Sequence, residues 1–378
     1  MLHFKETEFK KRENALKLQM QKEELDIFLI FSPESQYWLT GFDTFGYCFF
    51  QCLVVSNKKN VLLTRSADFL QAKFTSNISD IRIWKDDVNA TPWKNLLDII
   101  NQLRSKRNSV GIEMDTHGLT AFNFNKLKET LSFPLKDSSD IISKLRLIKS
   151  EDELKYVRKA GEIADKCLVK IKPLIKEGIQ ENEILAVMQG ENFKLGGDYP
   201  ANEFIVGSGR NALLCRYQAE KRILSKQDQI TLEWAGVYKH YHAAMMRTAI
   251  IGKVSNKQLQ MHKITVQALK ECEKILKPNK SMSQVFNTYI NVMKNFGFEH
   301  AKLNACGYAL GARFSPSWME REMFYENSNT IIKKNMVFFL HMIMMDEKEN
   351  LAMCLGRSYI VTNTNPESLS KVDIDLIN

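Results

Sequence analysis

The sequence predicts a small α/β domain followed by a larger α+β domain, and three observations predict it. Up to about residue 145, short apolar runs alternate with amphipathic helical stretches. Beyond it, two long helical segments, about 151–172 and 256–276, alternate with pairs of long apolar runs. Those pairs, ITLEWAG into YHAAMMRTAIIG and MVFFLHMIMM into LAMCLGRSYIVT, resemble each other loosely. Each first run holds an ionisable residue, and each second run holds Arg-Thr or Arg-Ser. Two similar hairpins predict a pseudo-symmetric domain with a shared concave face. At 378 residues the chain exceeds what one core usually covers, so two domains are expected, 1–145 and 146–378.

In the first domain a charged amphipathic helix runs to about Glu24. The strand-like run DIFLIF follows, and SPES breaks it. YWLTGFDTFGYCFFQCLVVS and NVLLTR read as two strand-like runs separated by the polar turn NKKN. IRIW is a further short strand, and TPWKNLLDIINQLRSK is a helix with Pro early and basic residues late. VGIEMD and a helix from about Thr120 complete the pattern. In SKLRLIKSEDELKYVRKAGEIADKCL, Ser150 and Glu153 form a capping box ahead of apolar residues at helical spacing, which marks the join.

Composition narrows the function classes. The net charge is +9, but Lys and Arg are spread along the chain among 44 acids, which argues against a nucleic-acid face. The seven cysteines include no CxxC pair, so neither a zinc site nor a disulfide framework is read, and reduced thiols in a cytoplasmic protein are expected. The first residues lack the apolar core of a signal peptide, and no apolar run approaches the length of a membrane span. The 16 methionines, many in the hairpins, read as adaptable core filler.

Strand alternation locates candidate chemistry. Residues two apart share a face, so Glu233 would lie with Thr231 and Ala235, and His242 with Ala244, Met246 and Thr248. His341 would lie with Phe339 and Ile343. A concave floor carrying Glu233, His242 and His341 can move protons, because imidazole titrates near neutral pH and a carboxylate can orient it. Either histidine would move the proton and Glu233 would orient it or the substrate; His240 reads as turn surface.

The order YWLTGFD, RLIKSEDE and the two hairpins resembles the creatinase/prolidase/aminopeptidase P family over essentially the whole chain. The resemblance implies an α+β pita-bread C-terminal domain behind a smaller creatinase-type α/β N-terminal domain, usually in a homodimer. It also implies two metal ions held by two Asp, one His and two Glu in the family's peptidases. Those positions match Glu233, Ala244, Tyr308, His341 and, near the end, Gly356, so the set is not kept and no metal or other cofactor is expected. GFDTFGYCFFQCLVV, IEMD, GGDYPA, LEWAG and PSWMER resemble the metal-free branch, creatinase and especially ectoine hydrolase, which opens C–N bonds in small compounds. VFFLHM and LLCRYQAEKR depart from that pattern.

The same resemblance suggests substrate contacts. Glu320 and Arg321 in PSWMER are candidates for a cationic group or a carboxylate. Arg216 falls about where creatinase has a catalytic histidine; always charged, it reads as an anion anchor rather than a base. Tyr199 and Tyr308 can donate hydrogen bonds to developing charge. Phe45 and Tyr47 sit in a loop that in this family reaches an active site, commonly the other subunit's, and could cap an organic cation. The expectation is a metal-independent hydrolase of a small nitrogenous molecule. An Xaa-Pro dipeptidase and a non-catalytic binding protein are the alternatives.

Overall fold

The computed structural model describes residues 2–103 and 109–378, and the chain folds as two compact units, Met1–Arg146 and Leu147–Asn378. The basic end of the helix expected over TPWKNLLDIINQLRSK, residues 104–106, lies outside the described residues.

The first unit is a six-stranded sheet covered on both faces. Its strands are β1 (Ile27–Ile30), β2 (Cys52–Ser56), β3 (Asn60–Arg65), β4 (Asp80–Trp84), β5 (Val110–Ile112) and β6 (Leu135–Asp137), in the order β4-β3-β2-β1-β5-β6. Its helices are α1 (Glu6–Lys22), α2 (Pro33–Thr40), α3 (Phe69–Thr75), α4 (Pro92–Leu103), α5 (Ala121–Thr130) and α6 (Asp140–Leu147). Because side chains alternate along a strand, Ile27 and Leu29 enter a core with α4 and α5, while Phe28 and Ile30 enter another with α1, α2 and α6. Both faces being covered, β1 is apolar throughout.

One expectation fails here. SPES does not merely break β1, and YWLT is not strand: PESQYWLT is helix α2. Pro33 opens it at the first turn and Gly41 closes it in the left-handed region, with φ 83° and its N–H on the Tyr37 carbonyl. The aromatic, β-branched content of YWLT favoured a strand, and the flanking Pro and Gly overrode it.

The second unit is built on helices α7 (Glu151–Ile171), α8 (Glu181–Lys194), α9 (Asn256–Ile275) and α10 (Met282–Asn295). Its strands are β7 (Ile205–Ser208), β8 (Asp228–Tyr238), β9 (Tyr241–Ile251), β10 (Gly307–Leu310), β11 (Met319–Met323), β12 (Val337–Asp346), β13 (Leu351–Ile360) and β14 (Glu367–Ser368). They form one sheet in the order β11-β10-β12-β13-β9-β8-β7, with β14 on β13. The Ser150–Glu153 capping box starts α7, and Ser255–Gln258 and Ser281–Gln284 start α9 and α10 in the same way.

Each long hairpin packs under one long helix, α7 against β8 and β9, and α9 against β12 and β13. Alternation then divides the residues. Leu340, Met342, Met344, Met353 and Leu355 join the core of α9 and α10. Trp234 points to α7, its indole N–H donating to the Ala164 carbonyl at 3.0 Å. At Gly236 a Cβ would fall 1.9 Å from the Ala160 carbonyl oxygen, so the close approach of α7 requires glycine there. The other face of the sheet is thereby left for Glu233 and His341. No helix among the described residues is long and apolar enough to cross a membrane.

Candidate active site

The register of the central strands sets the floor of the site. Glu233 pairs with Met246, Met246 with Gly356, and Gly356 with His341, so these four form one row across β8, β9, β13 and β12. Directly paired residues share a face, which puts Glu233 and His341 on the same surface at opposite ends of the row. Tyr308 on β10 pairs with Phe339, two residues before His341, and completes that end.

Glu233 is buried, and burial raises its carboxyl from the ordinary 4.5 to about 7. Two groups oppose that rise, first the Arg216 guanidinium and then the Tyr308 hydroxyl. The Tyr308 oxygen also accepts the Trp318 indole N–H at 2.7 Å, and the Tyr308 ring lies 5.6 Å from that of His341. Burial lowers His341 to about 4, and Arg216 pushes in the same direction, so the imidazole is neutral at pH 7. Its Nδ1 is buried without a hydrogen-bond partner. Cys215, beside Arg216 in sequence, is held above its usual pKa by burial and by the nearby Glu233.

A cleft of about 580 Å³ opens beside this cluster, with Tyr199, Ala201, Ile205, Arg216, Tyr217 and Pro316 among its lining residues. Arg216 belongs to the cleft wall and acts electrostatically on both Glu233 and His341. Its loop is anchored by the buried Glu181, which accepts from the Ser208 N–H at 2.7 Å and from the Tyr217 hydroxyl at 2.8 Å. Tyr199 is 82% exposed at the lip, edge-on to Phe193 at 4.9 Å.

The remaining sequence candidates lie elsewhere. His242 pairs with Val237 rather than Glu233, four residues along β8, which is about 13 Å of strand. Its Nε2 accepts the Ala201 N–H at 3.0 Å, its ring lies 6.1 Å from that of Trp318, and burial lowers its pKa to about 3. The expectation that it works beside Glu233 is corrected: sharing a face does not bring two residues to the same level. His240 is in the two-residue turn with Lys239, both at positive φ, and stacks on Phe314 at 4.2 Å.

Glu320 is buried away from the row, with Oε2 3.7 Å from Arg313 Nη1. A Cβ on Gly311 would meet Glu320 Oε1 at 2.5 Å and Lys149 Nζ at 3.4 Å, so two cations surround this carboxylate. Arg321 follows it on β11, half-buried. Phe45, 84% exposed, and the half-buried Tyr47 belong to the first unit. Sequence reading missed Trp318 and Phe339 as parts of the site. Trp318 precedes a short strand with no clear alternation, and only the partner taken by its indole N–H reveals it.

The pattern of metallopeptidase family M24 matches residues 155–363, and that of the creatinase/prolidase N-terminal domain matches residues 12–148. The ectoine hydrolase of Halomonas elongata is 24% identical, covering 98% of this chain and 96% of its own. The Xaa-Pro dipeptidase of Pyrococcus furiosus is 22% identical over 95% of this chain and 97% of its own. The prolidase of Thermococcus sibiricus superposes with a TM-score of 0.88 at 20% identity, covering 97% of this chain and 98% of its own. The X-Pro aminopeptidase of Thermotoga maritima gives 0.85 at 20% identity with the same coverages. The fold is therefore the pita-bread fold behind a creatinase-type N-terminal domain.

A metallopeptidase pattern implies metal, and the residues at the matched positions do not fit one. Ala244 and Gly356 offer no donor, and a Cβ on Gly356 would fall 2.5 Å from the Phe339 ring, which fills that place. Tyr308 is tied to Trp318, and Met246 and Gly356 separate the remaining two donors, Glu233 and His341, along the row. Among the described residues no group of three or more His, Cys, Asp or Glu side chains is placed to hold a metal ion.

Proposed function

The chain belongs to metallopeptidase family M24 and is a hydrolase of that family; from that premise we propose that it cleaves a C–N bond of a small amide or amidine without metal, with Glu233 moving the proton. The observation that carries this reading is the placement of Glu233, buried at one end of the row that His341 closes at the other, beside the cleft walled by Arg216. Burial raises its carboxyl to about 7, and the Arg216 guanidinium opposes that rise. A carboxyl raised towards neutrality can take a proton from water and return it to the departing nitrogen. His341, neutral, serves as a hydrogen-bonding partner for the substrate or the attacking water. This exchanges the roles expected from sequence, because burial acts oppositely on the two groups.

Arg216 at the cleft wall would hold an anionic group of the substrate, and Tyr308 would donate to charge developing near Glu233. Tyr199 at the lip is a further contact in this reading. A homodimer is also part of it, on the family resemblance, and sedimentation of the purified protein measures it.

The test is turnover of purified protein on ectoine, creatine, related amides and Xaa-Pro dipeptides, with and without a chelator. Hydrolysis of a small amide or amidine that survives chelation and disappears in Glu233→Gln supports the proposal. Hydrolysis of Xaa-Pro dipeptides that stops on chelation overturns it and favours a dipeptidase. Tight binding of a panel member without turnover overturns it in favour of a binding protein.

A further inference from the structure

We infer that Arg247, Thr248 and Ser358 are positioning residues of this site: their side chains join the two long hairpins at the row carrying Glu233 and His341, and so fix the spacing between those two groups. Within each hairpin the backbone does this, through ladders that run the length of the strands. Between the hairpins, β9 and β13 pair at Met246 and Gly356, in the middle of the row. Two residues along in either direction, the same register sets Thr248 opposite Cys354 and Ala244 opposite Ser358, and there side chains take the place of the ladder. Thr248 Oγ1 accepts the Cys354 N–H at 2.7 Å and donates to the Cys354 carbonyl at 3.3 Å. A hydroxyl suits that place because it donates and accepts at once. Ser358 Oγ donates to the Ala244 carbonyl at 2.7 Å.

Arg247 closes the same seam from the opposite face of the sheet, since it pairs with Leu232 rather than Glu233. Its Nη1 donates to the Met246 and Gly356 carbonyls, both at 2.8 Å, and so ties the two residues that stand between Glu233 and His341. Its Nη2 donates to the Asp373 carbonyl at 3.1 Å, which holds the guanidinium in place. All three side chains are buried, where a hydrogen bond that is lost is not replaced by water. These residues come from the Arg-Thr and Arg-Ser pairs that the hairpins share, and they cross over: Thr248 of the first hairpin reaches the second, and Ser358 of the second reaches the first. Glu233 and His341 are each held by their own ladder, so the seam decides how far apart they stand. A misplacement of about 1 Å can cost about 100-fold in rate.

The inference rests on the reading of Glu233 and His341 as the working pair for its effect on rate, but the seam is tested without substrate. Thr248→Val keeps the shape of the side chain and removes the hydroxyl. It is expected to speed amide hydrogen exchange at Cys354 by about tenfold or more, while Thr248→Ser stays near the parent. Crystal structures of the parent and Thr248→Val are expected to differ in the Glu233–His341 separation by about 0.5 Å or more. Val285→Ala, in the core of α9 and α10, also lowers stability and is expected to leave exchange and separation unchanged. On any panel substrate that is turned over, Thr248→Val, Ser358→Ala and Arg247→Lys should each lower kcat about tenfold with KM within about twofold of the parent, and Thr248→Ser should restore kcat. Unmoved exchange at Cys354, or an unmoved separation, in Thr248→Val overturns the inference. So does a kcat loss that Val285→Ala shares or that Thr248→Ser does not restore. Should Thr248→Val not fold, Ser358→Ala, which removes one hydrogen bond, is read by the same separation and the same kcat. If no panel member is turned over, the reading of Glu233 fails while exchange and separation still decide the seam, so the two failures are distinguishable.

Discussion

The two long hairpins of the second unit are built alike and charged differently. Each is a pair of ten- or eleven-residue strands under a long helix, and each places one ionisable residue of its first strand on the shared floor. Burial is the leading influence on both, and it drives each towards its neutral form: Glu233 up to about 7, His341 down to about 4. Arg216 then separates them. It pulls the carboxyl back towards the anion and pushes the imidazole further from the cation. One cation thus favours the charged form of the carboxyl and the neutral form of the imidazole. Equal burial does not mean equal chemistry.

The largest expected effect comes from removing the poised group. Glu233→Gln should lower kcat by about 100-fold or more, the usual scale of general acid–base catalysis, while circular dichroism stays that of the parent. His341→Gln keeps hydrogen-bonding capacity and should cost less, about tenfold, measured on the same substrate. Equal losses in the two variants would break the asymmetry proposed for the hairpins.

Stability against pH sharpens the comparison further. A carboxyl raised from 4.5 to about 7 keeps its proton in the folded state while the unfolded chain loses it, so stability falls as pH rises through that window. An imidazole lowered from 6.5 to about 4 does the reverse, and stability rises with pH between those values. The slopes oppose each other between pH 4.5 and 6.5 in the parent protein. Glu233→Gln should expose a rising curve and His341→Gln a falling one, each by a few kcal/mol in denaturant titrations. Differences from the parent isolate each group, because other buried groups such as Glu113 and His242 remain in every variant.

A smaller effect is expected for Arg216→Gln. Removing the cation should raise both midpoints by about half a pH unit, narrowing nothing between them but moving the acid limb of the pH–rate profile upward. The smallest effect on kcat should come from His242→Ala. It strands the Ala201 N–H and opens a space beside Trp318, so a stability loss of about 1–3 kcal/mol is expected in thermal or urea unfolding. A loss of kcat as large as that of Glu233→Gln would return His242 to the centre of the mechanism.

The floor was legible where the period-two pattern was clean. Thr231, Glu233 and Ala235 on one strand, and Phe339, His341 and Ile343 on the other, follow directly from alternation in long apolar runs. What alternation cannot supply is level along the strand, which is why His242 read as a neighbour of Glu233. Nor does it supply hydrogen bonds from short, irregular segments, and Trp318 lies in one. Burial raises the Glu233 carboxyl and lowers the His341 imidazole, and burial depends on the whole packed unit rather than on local spacing. In the first unit, Pro33 and Gly41 carried the helix signal for PESQYWLT more reliably than the residues between them.

The aromatic ring of Phe339 lying over Gly356 has a consequence for redesign of the floor. Placing acids at 244 and 356 would not by itself create an ion-binding floor, because a longer side chain at 356 collides with a ring that must leave first. Shrinking that ring first would open a void and gain no ligand. An acid at 356 therefore has to be introduced together with a smaller side chain at 339. Only simultaneous replacement of the ring and both small residues offers a way round.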